Sequence, residues 1–167
     1  MCDPIRSRQS VPIAILSFWC FLGPIAPLAS AAPASDPSGL WFTKDNKSII
    51  KIAPCDAHYC GTLVWLKEPN ESDGTPKVDQ ENTDPKKRNR PIIGIDLLHD
   101  LEPEKNYWRG KAYNPADGKI YDVTFKVIGD TFPGEKAEVE GCLLHILCKS
   151  QIFTRAQAIP KPPELAQ

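Results

Sequence analysis

The sequence predicts an all-β domain, a small antiparallel barrel of roughly eight strands, with a two-sheet β-sandwich as the alternative. Three observations carry this. Short runs rich in β-branched and aromatic residues recur at close spacing, turn-forming residues separate them, and no sustained amphipathic helix is found. A barrel is favoured over a sandwich because eight strands suffice to close a small sheet, and closure removes edges that would pair with foreign chains.

Taken in order, Gly39-Leu40-Trp41-Phe42-Thr43 forms the first strand, ended by the turn residues Asp45-Asn46. Ser48 to Ala53, rich in isoleucine, is the second, and Pro54 is expected to stop it because proline cannot donate to the ladder. Tyr59 to Leu66 is the third, close enough for hairpin connections. Lys67 to Arg90 breaks the pattern. It contains Pro69, Pro76 and Pro85 and has Val78 as its only aliphatic residue. A loop of that length inside a small domain is either functional or disordered, which makes it the first place to look for function.

Strand character returns at Ile92 to Leu98, followed by a turn around Glu102-Pro103-Glu104. Tyr107 to Tyr113 and Lys119 to Ile128 flank Asn114-Pro115-Ala116-Asp117-Gly118, the strongest hairpin signal in the chain. Tyr121, Val123, Phe125 and Val127 alternate with polar residues, so one face of that strand is buried and the other wet. Ala137, Val139 and Gly141 repeat the pattern against Glu138 and Glu140, and Ile152 to Arg155 closes the domain. The organisation expected is a signal segment 1–32, a linker 33–38, a single β domain 39–155 with a polar loop 67–90, and a disordered Pro-rich tail 156–167.

The N-terminal segment sets the compartment. Arg6 and Arg8 precede an apolar run from Val11 to Leu28, which ends in Ala29-Ser30-Ala31-Ala32. Basic start, apolar centre and small-residue end make a secretory signal, cut after Ala31 or Ala32. The rival is a membrane anchor, but Pro12, Pro24 and Pro27 interrupt the run short of the roughly 20 apolar residues a span needs. A lipid anchor on Cys20 is disfavoured by Trp19 beside it. Past this segment no membrane span is expected.

Six cysteines occur, and Cys55, Cys60, Cys142 and Cys148 remain after the signal. In an exported domain they read as disulfides, and the short separations favour two local bridges over the other pairings. A four-thiolate zinc site is the rival, with spacings too loose for a zinc knuckle. The chain carries 20 basic and 21 acidic residues, a balance that argues against nucleic-acid binding.

No catalytic pattern emerges. His58, His99 and His145 stand apart, with His99 expected in a turn, and they read as surface residues. There is no Gly-x-Ser-x-Gly, reactive Cys–His pair or phosphate-binding glycine loop. Asp73, Asp79, Asn82 and Asp84 offer oxygen ligands without calcium-loop spacing. Lys86-Lys87-Arg88-Asn89-Arg90 is the one basic cluster, read either as a solvated loop or as a contact for anionic lipid or cell-wall phosphate. Neither a metal nor a cofactor is expected, and the chain does not read as an enzyme.

Several residues, in order, resemble a known pattern: Gly39-Leu40-Trp41, Cys60-Gly61, Val64-Trp65-Leu66, Asp79 with Asn82, Arg90-Pro91, and Trp108-Arg109-Gly110. Tyr113-Asn114-Pro115, Gly118-Lys119, Gly141-Cys142, Cys148-Lys149-Ser150-Gln151 and Thr154-Arg155 continue it. This resembles the bacterial family catalogued as domain of unknown function 2147, over Gly39 to Arg155, with Phe153 where that family often has tryptophan. The resemblance implies an exported bacterial protein and carries no catalytic residues. Gly39 and Trp41 with a late Arg155 also resemble the lipocalin (calycin-like) barrels, which implies a guanidinium packed on the indole of the first strand.

Together these readings point to a periplasmic β-barrel that takes a small or amphipathic ligand at an end rimmed by the loop 67–90. Trp65, Trp108, Tyr121, Asp79, Asn82 and Arg90 are the candidate binding residues, with Trp41 and Phe125 as further aromatics that either line a cavity or fill the core. The alternative is a structural or interaction protein of the cell envelope, meeting an envelope component through the same loop.

Overall fold

Eight antiparallel strands among the described residues pair in chain order and close on themselves. They are β1 (Gly39–Phe42), β2 (Ser48–Cys55), β3 (His58–Leu66), β4 (Asp96–Glu104), β5 (Tyr107–Asn114), β6 (Lys119–Ile128), β7 (Lys136–Leu143) and β8 (Leu147–Ala156). The computed structural model describes residues 33–129, 135–144 and 146–161. The expected signal segment 1–32, His145 and residues 162–167 of the expected tail lie outside the described residues. Closure is made by β1 against β8, with Trp41 opposite Arg155 and Phe42 opposite Thr154. The domain is therefore an eight-stranded, all-β, lipocalin-like barrel.

Because the strands run up and down in order, the connections sort to two ends. One end, the base, carries the β2–β3 and β4–β5 hairpins and residues 33–38 ahead of β1. The other, the mouth, carries the turn 43–47, the long connection 67–95, the turn 115–118 and the β7–β8 tip at 144–146. Asp56 and Lys105 take positive φ (50° and 56°) in the two base hairpins, the backbone twist that tight hairpin turns need.

The core fills the base half. Trp41 meets Phe125 edge-on at 5.2 Å between ring centroids, Phe125 meets Phe153 at 6.4 Å, and Tyr59 meets Trp108 at 4.9 Å. Tyr59 is half-buried, and each of the other rings, being buried, contributes about 1.5–3 kcal/mol through removal from water. Residues 33–38, expected as a linker, lie against this cluster. The Pro37 carbonyl accepts from Trp41 Nε1 and the Ser35 carbonyl from Trp108 Nε1, both at 2.8 Å, so neither buried indole N–H is orphaned. The Arg155 guanidinium lies 4.2 Å from the centre of the Trp41 ring and donates to the Ser38 carbonyl.

Three strand expectations need correction. β2 runs through Pro54 to Cys55, because β1 pairs only as far as Ile52 and beyond it the missing donor falls on an open edge. β4 spans Asp96–Glu104 and not 92–98, so His99 lies in a strand and not in a turn. Its register shifts between His99 and Glu102, where Asp100 has φ 53°, and this bulge lets Leu98 and Leu101 both reach the core. Gly110 makes room for the bulge, since a Cβ there would stand 2.5 Å from the His99 carbonyl oxygen. Finally β8 begins at Leu147, five residues before the apolar run that marks it in the sequence.

Disulfides join Cys55 to Cys60 at the base and Cys142 to Cys148 at the mouth. The second pair sits directly opposite in the β7–β8 ladder.

Candidate functional site

The aromatic cluster stops partway up the barrel, and above it the inward-facing positions leave space. Alternation along the strands turns Thr43, Ile50, Leu98, Ala112, Tyr121, Val123, Val139, Gly141, Lys149, Gln151 and Phe153 toward a cavity of about 430 Å³. Leu97, Tyr113, Asn114 and Pro115 complete its lining at the rim. The space exists because β5 and β7 present small residues where they pass it. A Cβ on Gly141 would find Tyr121 Cβ as its nearest neighbour, at 3.9 Å. Cavities of about 300–1,000 Å³ are the size that small ligands occupy.

The chemistry of the wall is graded. Ile50, Leu98, Val123, Val139 and Phe153 are buried and make an apolar floor. Gln151, Lys149, Asn114 and Tyr121 bring polar groups toward the mouth. Tyr121 donates its hydroxyl to Asp117 in the β5–β6 turn, and that hydrogen bond pushes the phenol up from its ordinary pKa. Lys149 is exposed. An apolar pocket with a polar rim and one cation suits a ligand with an apolar body and a polar or anionic end.

Outside this cavity a second feature fastens the long mouth loop. Asp79, fully buried, accepts from Tyr113 Oη at 2.5 Å, Asn82 Nδ2 at 2.7 Å and Arg90 Nη2 at 2.8 Å. Burial pushes the Asp79 carboxyl up, but the hydrogen bonds from Tyr113, Asn82 and Arg90 and the charge of Arg90 outweigh it and hold it below its usual value. Tyr113 is pushed up by burial and by Asp79. The loop thus hangs on β5 through a clasp whose members Asn82, Arg90 and Tyr113 are 3, 11 and 34 residues from Asp79 in sequence. Asp84 also caps the short 3-10 turn Pro85–Lys87, accepting from the Lys86 amide. Gly118 lies beneath, since a Cβ there would stand 1.9 Å from the Glu81 carbonyl oxygen, and its φ of 67° suits glycine.

The structure divides the six candidate binding residues. Tyr121 lines the cavity. Asp79, Asn82 and Arg90 are bound to one another and to Tyr113 in the clasp, with Tyr113 reaching the cavity rim. Trp108 is in the core at the base. Trp65 packs on Phe42 at 6.1 Å and is paired with Ile49, on the face opposite Trp41. Neither tryptophan is in the cavity wall. Gly141, Lys149 and Gln151, which are in it, lack the aromatic character that drew attention in the sequence. Only the alternation of Ala137, Val139 and Gly141 signals that Gly141 faces inward.

No catalytic constellation is found among the described residues. Glu140, Cys142 and Cys148 bring three ligand-type atoms within 4.8 Å of one another, but both sulfurs are spent in a disulfide and are not thiolates. No helix among the described residues is long and apolar enough to cross a membrane.

A family model described as an uncharacterized protein conserved in bacteria, DUF2147, matches residues 39–155. A solved structure, protein HP1028 from the human pathogen Helicobacter pylori, stated to belong to the lipocalin family, is similar with a TM-score of 0.57 and 24% identity. The match covers 74% of this chain and 85% of that one, and the likeness is one of fold. No curated protein matches the chain.

Proposed function

Since the chain belongs to the bacterial family DUF2147, whose activity is uncharacterised, we propose that it is an exported, periplasmic barrel that holds a small amphipathic ligand in the mouth cavity. The observation that carries this is the cavity of about 430 Å³ left above a filled base, apolar at its floor and polar at its rim. The apolar body of a ligand would rest on Ile50, Leu98, Val139 and Phe153, and its polar end would meet Gln151 and Lys149. A lipocalin-like fold supports the reading as analogy. The signal-like segment 1–32 supports export.

Native mass spectrometry of the protein purified from its own host tests this. A mass excess that is released by organic solvent is the expected result. Repeated recovery of the bare chain, together with no uptake of apolar anions added in vitro, contradicts it.

A second reading, an envelope protein acting through its surface, is favoured by the exposed run Lys86-Lys87-Arg88 on a loop that the Asp79 clasp holds in place. Pull-down from envelope fractions separates the two. Recovery of one partner, lost on replacing those three residues by alanine, favours the surface reading.

A further inference from the structure

The tip of the β7–β8 hairpin is built against the usual rule for exposed turns. Leu144, Ile146 and Leu147 are 74%, 77% and 65% exposed. Turns normally carry Gly, which accepts positive φ, or Asn, Asp and Ser, whose side chains hydrogen-bond the turn backbone. Here three aliphatic side chains within four residues point into solvent, and the Cys142–Cys148 disulfide immediately behind them ties the two strands together. The same end of the barrel holds the opening of the apolar cavity and the loop that displays Lys86, Lys87 and Arg88, the only run of three like charges in the chain. All three of those basic residues are exposed.

We propose that the mouth of the barrel docks on an anionic phospholipid bilayer, with the β7–β8 tip inserted among the acyl chains and the 86–88 run against the headgroups. The pairing of an apolar tip with a separate basic run is what a bilayer with negative headgroups complements, since its interface offers hydrocarbon beneath and phosphate above. Lys149, two residues past the tip on β8, adds a further cation at the cavity rim. Among the described residues neither it nor Lys86 and Lys87 is in an ion pair, so their charge is free to face phosphate. The nearest acid on β7, Glu140, accepts from Ser150 behind the tip. This inference does not rest on the cavity holding a ligand.

Flotation of the purified protein with vesicles tests it, using phosphatidylcholine alone and phosphatidylcholine mixed with phosphatidylglycerol. Intact mass is recorded for every sample, so that the state of the N-terminal apolar run is the same throughout. The expected result is binding to the mixed vesicles that weakens with added salt and is far weaker on phosphatidylcholine alone. Replacing Leu144, Ile146 and Leu147 together by serine should reduce binding by about tenfold or more. Replacing Lys86, Lys87 and Arg88 by glutamine should reduce it by about tenfold or more as well. All six residues are exposed, and an unchanged thermal unfolding midpoint establishes that the variants fold. No vesicle binding, or binding that the tip variant retains, overturns the proposal. Sedimentation is run alongside, and a dimer of the wild-type chain that the tip variant abolishes would assign the tip to a second copy and overturn it too.

Discussion

Arg155 on the last strand lies 4.2 Å over the ring of Trp41 on the first, at the seam where the barrel closes. The same guanidinium donates to the Ser38 carbonyl and pairs with Glu135, so one side chain ties the segment ahead of β1 and the one ahead of β7 to β8. Gly39 allows this approach, since a Cβ there would lie 2.2 Å from Arg155 Nη1.

Arg155→Ala should lower stability by about 2–3 kcal/mol, of which the cation–π contact accounts for about 0.5–2 kcal/mol. Arg155→Lys should recover less than half, because an ammonium cannot stack and bond in the same fork geometry. Gly39→Ala should cost a similar amount, and only the part due to the clash with Arg155 should vanish in the Arg155→Ala background, since the φ of 123° at Gly39 strains any side chain there. Denaturant unfolding of the single and double variants measures the coupling.

The clasp on the mouth loop gives a pH dependence with a definite sign. Asp79 is held below its ordinary pKa, so its stabilising effect is complete above the usual carboxylate range and is lost as pH falls through the depressed value. Tyr113 is raised, so its contribution is complete below the usual tyrosine pKa of about 10 and is lost as pH rises through the raised value. Thermal midpoints of the wild type should therefore be level across neutral pH and fall at both extremes. Asp79→Ala should cost about 2–3 kcal/mol at neutral pH and flatten the acid limb. An acid limb equally steep in the variant would show that the clasp is not its source.

The two disulfides close short loops, and each should contribute about 2 kcal/mol by restricting the unfolded chain. Removing Cys142 and Cys148 together should lower the unfolding midpoint and speed amide exchange in the β7–β8 tip, leaving exchange at the base unchanged. Peptide mapping without reduction should recover the 55–60 and 142–148 links and no crossed pair.

Much of the fold was legible because it is local. The alternation from Tyr121 to Val127, the Asn114–Gly118 turn and the Gly39-Leu40-Trp41 start each name an element by composition and period alone. The site was legible only in part, because it depends on what is missing across the barrel. Gly141 and Ala112 look like ordinary small strand residues until their neighbours are seen to leave a void beside them. The aromatic residues drew attention in the sequence, yet Trp108 and Phe125 fill the base and Trp65 packs on the far face. Likewise Asp79, Asn82 and Arg90 stand out in a polar loop, and only the approach of Tyr113, 34 residues on, shows that they fasten it. The start of β8 was hidden for a related reason: Cys148 to Ser150 lie at the mouth, where both faces of the strand are wet and no alternation survives.

The central claim is that the barrel mouth is an open ligand cavity, and filling it from one side tests that most directly. Gly141→Trp would project an indole into the space, whereas Gly110→Ala would press a methyl against the His99 carbonyl, destabilising the barrel by about 1–3 kcal/mol without entering the cavity. Titration of anilinonaphthalene sulfonate, a small apolar anion, should show one saturable site in the wild type and in Gly110→Ala. In Gly141→Trp the site should be lost with little change in the unfolding midpoint. Equal binding in the wild type and in Gly141→Trp, or no saturable site in the wild type, would contradict the account.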